Sequence, residues 1–179
     1  MRQFFIAGLA VGLASLGSTL ATAQSPAPAP AAPAAPVQAA PAAPVLYGMS
    51  IGAEQAKAAA NAAIAEMKKN GFMMSVAVVE PNGTLMHFER IDGASYASMD
   101  LAQHKARAAA RFKSPTQRYQ DRLASGFAEA YVLTLDDVIA VGGGVPIVID
   151  GKIVGAVGVG GGSTAQDGAV AAIAVAAVK

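Results

Sequence analysis

Four polar side chains fall on one face of a predicted helix over 96–112, at successive spacings of four, three and four residues. They are Asp100, His104, Arg107 and Arg111. Because residues three and four apart are neighbours on a helix surface, an imidazole and two guanidinium groups project from one stripe. Arginine pairs with carboxylates and histidine ligates iron, so the stripe predicts a site for haem or another acidic ligand, with His104 as the candidate axial ligand. The alternative is a solvated face or a contact between subunits.

Lys105 lies beside this stripe, on an otherwise apolar face of the same helix that carries Leu101, Ala108 and Phe112. Two interpretations of the lysine remain open. In the first, its aliphatic stem packs on the core edge and its ammonium group reaches water, as long charged side chains commonly do. In the second, the amine lies at the edge of a cavity, where it binds an anion or takes part in catalysis.

Two runs of three glycines, at 142–144 and 160–162, are further candidates for holding an anion. Exposed backbone amides ahead of a helix attract negative charge. Neither run matches a nucleotide-binding fingerprint. Tight turns and close packing of the backbone are the alternative use of these glycines.

Helical periodicity predicts the elements that must carry these residues. Apolar residues at spacings of three and four predict a first helix over 50–70, capped by Ser50. The helix over 96–112 is second, and a shorter helix opens at Pro115. A final helix follows Ser163, which has capping-box spacing to a glutamine.

Two hairpins separate these helices. Strands over 73–80 and 84–91 flank a Pro-Asn-Gly turn, and a second hairpin spans 145–159 around an Asp-Gly turn. The order of helices and hairpins predicts an α+β fold, in which helices pack on an antiparallel sheet of about five strands built from two hairpins.

The absence of cysteine and the balanced charge exclude several classes of function. Without cysteine there is no disulfide scaffold, thiolate catalysis, cysteine-ligated zinc, iron–sulfur cluster or covalent c-type haem. The formal net charge is +1, and the surplus is Arg2, near the amino terminus. Nucleic acid is therefore not an expected partner, because it attracts an excess of Lys and Arg.

The first residues have the three parts of a secretory signal: Arg2, an apolar run over 4–20 and small residues at its end. We predict a signal peptide over 1–23, an Ala/Pro-rich linker over 24–46 and one domain over 47–179. The expected location is the periplasm or the exterior, with no transmembrane segment after cleavage. An uncleaved anchor is the alternative, because the apolar run approaches the ~20 residues that cross a bilayer.

The domain also carries a series of motifs in a fixed order. They are VAVVEPNG (76–83), RIDGA (90–94), AQHKA (102–106), FKSPT (112–116), GGVPI (143–147) and DGKIVGAVGV (150–159). Together they resemble the GlcG/HbpS-like family, which includes haem-degrading or haem-binding HbpS-like proteins and PduO C-terminal-like domains. The resemblance implies helices on an antiparallel sheet, assembly into homo-oligomers and, in some members, export and haem binding.

The stripe and the resemblance together predict an exported protein that binds a small-molecule ligand, with haem or a related tetrapyrrole as the first candidate. The residues predicted to bind it are Arg90, Asp92, His104, Lys105, Arg107 and Arg111.

One position departs from what the resemblance implies. Family members often carry a threonine three residues after the lysine, where a haem contact is implied, and Ala108 stands there in this chain. Alanine cannot ligate iron. His104 is therefore the first candidate for an axial ligand and His87 the second.

Two other functions remain open at the level of sequence. The first is an enzyme acting on a hydroxy or keto acid, in which Arg90 holds a carboxylate and Lys105 is a base or a Schiff-base amine. The second is an oligomeric structural or sensory partner protein, in which the polar stripe is a subunit interface.

Overall fold

The structure, a computed structural model, describes residues 44–178, so the predicted signal peptide and nearly all of the linker lie outside the described residues. The elements follow in the order β1 (Leu46–Tyr47), α1 (Ala53–Asn70), β2 (Ser75–Val79), β3 (Leu85–Arg90), α2 (Tyr96–Arg111), α3 (Gln117–Ser125), a 3-10 helix (Phe127–Thr134), β4 (Gly144–Ile149), β5 (Lys152–Gly160) and α4 (Thr164–Ala176). Both predicted hairpins and the four predicted helices are present, with ends within three residues of the predicted ones.

Strand β5 lies at the centre of the sheet. β4 pairs antiparallel with one edge of β5, through a tight turn in which Asp150 and Gly151 have φ of 50° and 71°. These positive values suit a two-residue hairpin turn. On the other edge, β2 pairs antiparallel with the second half of β5 and is itself paired with β3.

Strand β1 adds a parallel pairing to the sheet. It pairs parallel with the start of β5, where Leu46 lies opposite Lys152. The α+β prediction is therefore confirmed, but the sheet is mixed and not purely antiparallel. The reason is that β1 reaches β5 from the chain preceding α1 and not through a hairpin.

The ends of two helices test the capping predictions. α1 begins after Gly52, and the Ser50 hydroxyl donates a hydrogen bond to the Glu80 carboxylate at 3.1 Å, so the prediction that Ser50 caps this helix is wrong. At α4 the predicted capping box is confirmed. The Gln166 N–H donates to the Ser163 hydroxyl at 3.3 Å, and the Ser163 N–H donates to the Gln166 side chain at 2.9 Å.

Helices cover both faces of the sheet. On one face, α1 packs against β2 and β3 and α4 packs against β4 and β5, in a core that includes Met67, Val76 and Val170. On the other face, α2 packs through alanines against Ala77 of β2 and Ala156 of β5. Alanine lets the α2 backbone come so close that a Cβ added to Gly158 of β5 would collide with a carbonyl oxygen of the helix.

Substituting Gly158 tests this close packing. We expect Gly158→Ala to lower the free energy of unfolding by about 3 kcal/mol, because the added methyl group has to displace the helix backbone. The matched control is Gly168→Ala in α4, where an added Cβ meets nothing within 4 Å. The control is expected to raise the free energy of unfolding by up to ~1 kcal/mol, because alanine favours the helix. Denaturant unfolding followed by circular dichroism measures both, and equal stabilities contradict the packing.

Candidate functional site

Helix α2 presents two different faces. Its start is capped by the Ser95 side chain, and its alanine face is buried on the sheet. His104 lies on the exposed side, and the side chains of Arg107 and Arg111 are 38% and 51% exposed. The burial of the alanines therefore turns the predicted polar stripe away from the sheet.

Lys105 points the other way, into the protein. Its ammonium group pairs with the Asp167 carboxylate at 2.6 Å, and the two side chains are only 1% and 3% exposed. The second carboxylate oxygen of Asp167 accepts the Gly162 N–H at 2.9 Å. The lysine thus ties α2 to the start of α4, and the snorkelling interpretation does not describe it.

The glycine runs make this burial possible. A Cβ added to Gly143 would lie 3.0 Å from the Lys105 Nζ, and one added to Gly144 would collide with the Lys105 carbonyl group. Close backbone packing is therefore the use of the first run. The second run does bind a carboxylate through Gly162, but that carboxylate is the protein's own Asp167.

The end of α2 is anchored by the segment that follows it. The Phe112 and Tyr119 rings meet edge to face with centroids 5.8 Å apart, and burial raises the pKa of the Tyr119 hydroxyl above its usual value. The Thr116 hydroxyl accepts the Gly144 N–H at 2.9 Å. These contacts join α3 to β4 and hold the end of the stripe, at Arg111, in place.

The two arginines of the stripe converge on one carboxylate. Arg111 donates to the Oδ2 of Asp137, and the Arg107 guanidinium lies 3.9 Å from the Oδ1 of the same residue. Asp137 belongs to the segment between the 3-10 helix and β4 and has a φ of 65°. The arrangement binds a carboxylate with two guanidinium groups, as the sequence predicts for a ligand, but here the carboxylate is internal.

A hollow of about 180 Å³ opens beside these groups. It is lined by His104, Asp137, Val138 and Ile139. One of its walls is therefore the helix with the stripe, and the other is the segment that carries Asp137. The candidate axial ligand faces this hollow.

A second, wider groove of about 450 Å³ lies at the other end of the stripe. Its lining includes Arg111 together with Tyr47, Pro81 and Asn82. Arg111 lines this groove and Asp137 lines the smaller hollow, and the two residues are bonded to each other. The Arg111–Asp137 pair therefore borders both spaces.

Arg90 and Asp92 are not brought to this face. They line a separate hollow of about 260 Å³ at the end of β3. The Arg90 guanidinium stacks on the Tyr96 ring at 4.9 Å and donates to the Ala94 carbonyl at 3.3 Å. Tyr96 precedes His104 by eight residues, which is about 12 Å along the helix axis. The predicted site residues thus fall into two groups, and Lys105 belongs to neither hollow.

Three further findings bear on the predicted ligands. Ala108 is fully buried, so the position where the resemblance implies a haem contact faces the protein interior. Within residues 44–178, no group of three or more His, Cys, Asp or Glu side chains is arranged to hold a metal ion. In the same residues, no helix has the length and apolar character needed to cross a membrane.

Comparison with known proteins agrees with the motifs. The family model described as haem degrading protein HbpS-like matches residues 51–176. The chain belongs to this HbpS-like family. Protein GlcG of Escherichia coli K12 is 37% identical to it over 97 residues, which are 52% of this chain and 69% of GlcG.

Solved structures match the HbpS-like domain over most of its length. A crystal structure of a double mutant of HbpS from Streptomyces reticuli has a TM-score of 0.68 at 32% identity and covers 82% of this chain and 99% of its own. The crystal structure of a PduOC haem complex has a TM-score of 0.66 at 26% identity and covers 73% and 96%. The resemblance seen in the sequence is thereby confirmed.

Two carboxylates of this HbpS-like domain were missed by the sequence analysis. Asp167 lies 62 residues from Lys105, and Asp137 lies 26 residues from Arg111. A weak signal existed for Asp167, because a lysine on an apolar helix face requires a buried partner if it does not reach solvent. No local pattern marks Asp137, whose position depends on an irregular segment.

The buried pair makes a direct prediction about stability. We expect Lys105→Met to lower the free energy of unfolding by about 3–5 kcal/mol, because it leaves the Asp167 carboxylate buried without a partner. The double variant Lys105→Met, Asp167→Asn is expected to recover most of this loss. Its asparagine keeps an acceptor for the Gly162 N–H and carries no charge.

The measurement is denaturant unfolding of the wild type, Lys105→Met, Asp167→Asn and the double variant. The control is Lys69→Met, which removes an exposed pair with Glu66 at 3.4 Å. This substitution should lower the free energy of unfolding by less than about 1 kcal/mol. A double variant that is less stable than Lys105→Met would show that charge pairing is not what holds the two helices together.

Proposed function

We propose that this HbpS-like domain is exported and binds haem or a related tetrapyrrole on the outer face of α2. The observation that carries the proposal is the common orientation of His104, Arg107 and Arg111 between a hollow of about 180 Å³ and a groove of about 450 Å³. Family membership supports it, because a structure in the same fold is that of a haem complex.

Each residue of the stripe has a distinct part in the proposed site. Arg107 and Arg111 bind the acidic groups of the ligand, since a guanidinium matches a carboxylate with two parallel hydrogen bonds. His104 would hold the haem iron through an imidazole nitrogen. When bound, haem supplies four ring nitrogens to its iron, so a single protein ligand is enough and a cluster of metal-binding side chains is not required.

The side chains of the stripe suit the chemistry of haem, but the hollow at His104 is small for a molecule of that size. The donors are one imidazole and two guanidinium groups on one face. The hollow at His104 measures about 180 Å³, which is below the roughly 300 Å³ at which ligand pockets begin, whereas the groove at Arg111 reaches about 450 Å³. Arg111 lines the groove, Asp137 lines the hollow, and the two residues are paired with each other.

The hydroxy or keto acid enzyme gains no support from the geometry. Its two key residues, Arg90 and Lys105, lie in different places, and Lys105 is shielded from solvent by its pairing with Asp167. The ammonium group is not open to a carbonyl substrate.

Assembly into homo-oligomers stays a prediction, as does a role of the stripe in a subunit interface.

Titration with hemin tests the proposed binding. For wild type we expect a shifted Soret band, and for His104→Ala the loss of this shift. We expect the double variant Arg107→Gln, Arg111→Gln to bind about 10- to 100-fold more weakly, because hydrogen bonds to charged groups contribute about 1.5 kcal/mol or more each and 1.4 kcal/mol is tenfold in affinity.

The matched controls are His87→Ala, on β3, and Arg118→Gln, on the exposed side of α3, both away from the stripe. Neither control should change the spectrum or the affinity. An unshifted spectrum of the wild type removes the tetrapyrrole proposal, and equal losses in His87→Ala and His104→Ala remove the assigned ligand.

Export has its own test. When the full chain is produced in a Gram-negative host, we expect the periplasmic fraction to contain a protein that begins at Gln24, as intact-mass measurement will show. Ala23→Tyr should block cleavage, because the signal peptidase requires a small residue there. If wild-type protein is instead found in the membrane fraction with residues 1–23 still attached, cleavage is contradicted and an uncleaved anchor is supported.

A further inference from the structure

The carboxylate-binding groups of α2 are already engaged in this structure. Asp137 reaches Arg111 through Oδ2 and lies 3.9 Å from Arg107 through Oδ1. One carboxylate facing two guanidinium groups leaves a net positive charge at the cluster. A ligand carboxylate is therefore still attracted to this place, but it competes with Asp137 for the same donors.

The segment 135–141 that carries Asp137 is lightly held. Its Val138 N–H donates to the carbonyl of Leu135 at 3.3 Å, a contact within the segment itself. Leu135 and Val141, at the two ends, are exposed, and residues 137–140 between them are half-buried. Asp137 has a left-handed backbone with φ of 65°, a conformation that aspartate and asparagine tolerate better than most residues. Within residues 44–178, the ion pairs of Asp137 are the polar contacts that join the segment to α2.

The point where the segment ends is fixed. The Gly142 N–H donates to the side chain of Gln120 at 2.9 Å, and Gly143, with φ of 118°, packs against the buried Lys105 and Asp167. Gly142 and Gly143 are therefore held by α3 and by the buried pair, whereas the segment before them is joined to α2 through Asp137.

The two spaces beside α2 meet at the Asp137 contact. Asp137 forms part of the wall of the hollow at His104, and its partner Arg111 forms part of the wall of the groove beyond. Withdrawal of Asp137 would leave Arg107 and Arg111 without their carboxylate partner and would remove one residue from the wall of the smaller hollow.

We infer that segment 135–141 is a lid, which closes the α2 site by placing the Asp137 carboxylate on Arg107 and Arg111 and which a carboxylate-bearing ligand opens by displacing it. The inference rests on the proposed function in that it concerns the same arginines. It goes further by assigning regulation to a residue of this chain, and it restricts the ligands to molecules with a carboxylate or an equivalent anion.

The test compares Asp137→Asn with Asp136→Asn. Both variants remove one negative charge from adjacent positions, and asparagine tolerates the left-handed backbone of Asp137. Asp136 is exposed and takes part in no ion pair among residues 44–178, so it is the matched control. Thermal unfolding verifies that both variants are folded.

Hydrogen exchange of the segment is the first measurement and needs no ligand identity. Asp137→Asn is expected to raise the exchange of the Val138 amide, whereas Asp136→Asn is not. Succinate, used as a plain dicarboxylate probe, is expected to raise the same exchange in wild type but not in the double variant Arg107→Gln, Arg111→Gln.

Affinity for hemin is the second measurement. We expect a Kd about threefold to tenfold lower in Asp137→Asn, the range for losing two partly exposed ion pairs.

The two proposals fail in distinguishable ways. If wild type does not bind hemin but succinate and Asp137→Asn both raise exchange, the lid stands and the tetrapyrrole proposal is lost. If hemin binds equally well to wild type, Asp137→Asn and Asp136→Asn, and exchange is the same in all three, the lid is overturned and haem binding stands.

Discussion

The buried pair of Lys105 and Asp167 constrains the rest of the site. Two charges separated by 2.6 Å and almost fully withdrawn from water are tolerated only when they face each other closely, because each alone loses its hydration without compensation. Together with the buried alanine face, this requirement sets the rotation of α2 about its axis. Once Lys105 points inward, the neighbouring positions of His104, Arg107 and Arg111 must point outward. The chemistry on the surface of the helix therefore depends on an ion pair in its interior.

Two internal carboxylates meet basic residues of the same helix in very different surroundings. Asp167 is 3% exposed and also accepts a backbone N–H, so its release would strand a charge in the interior. The Asp137 side chain is 26% exposed, and its partners are in contact with solvent. Exposed pairs contribute about 0.2–1 kcal/mol, against about 3–5 kcal/mol for breaking a buried one. The first contact is structural, and the second is weak enough to be exchanged for a ligand.

Membership in the HbpS-like family and the particular residues of this chain address different questions. The family accounts for the fold, in which helices cover the two faces of the sheet. The haem contact that the resemblance implies is not available at Ala108, which is buried and has no group that can bind iron. The proposed haem site therefore relies on His104, which belongs to the exposed stripe and not to the buried face.

The sequence by itself determined the four α-helices, the two hairpins and the grouping of polar residues along one helix, but not β1 or the 3-10 helix. Periodicity places His104, Arg107 and Arg111 on a common face, turn residues mark both hairpins, and the order of motifs identifies the family, because all of these depend on residues close together in the chain. Only the tertiary structure decided which partners those residues meet. The parallel pairing of β1, the carboxylate opposite Lys105 and the position of Asp137 on the arginines each join segments far apart in sequence. Local patterns do not predict such contacts, since they form only when folding brings distant segments of the chain together.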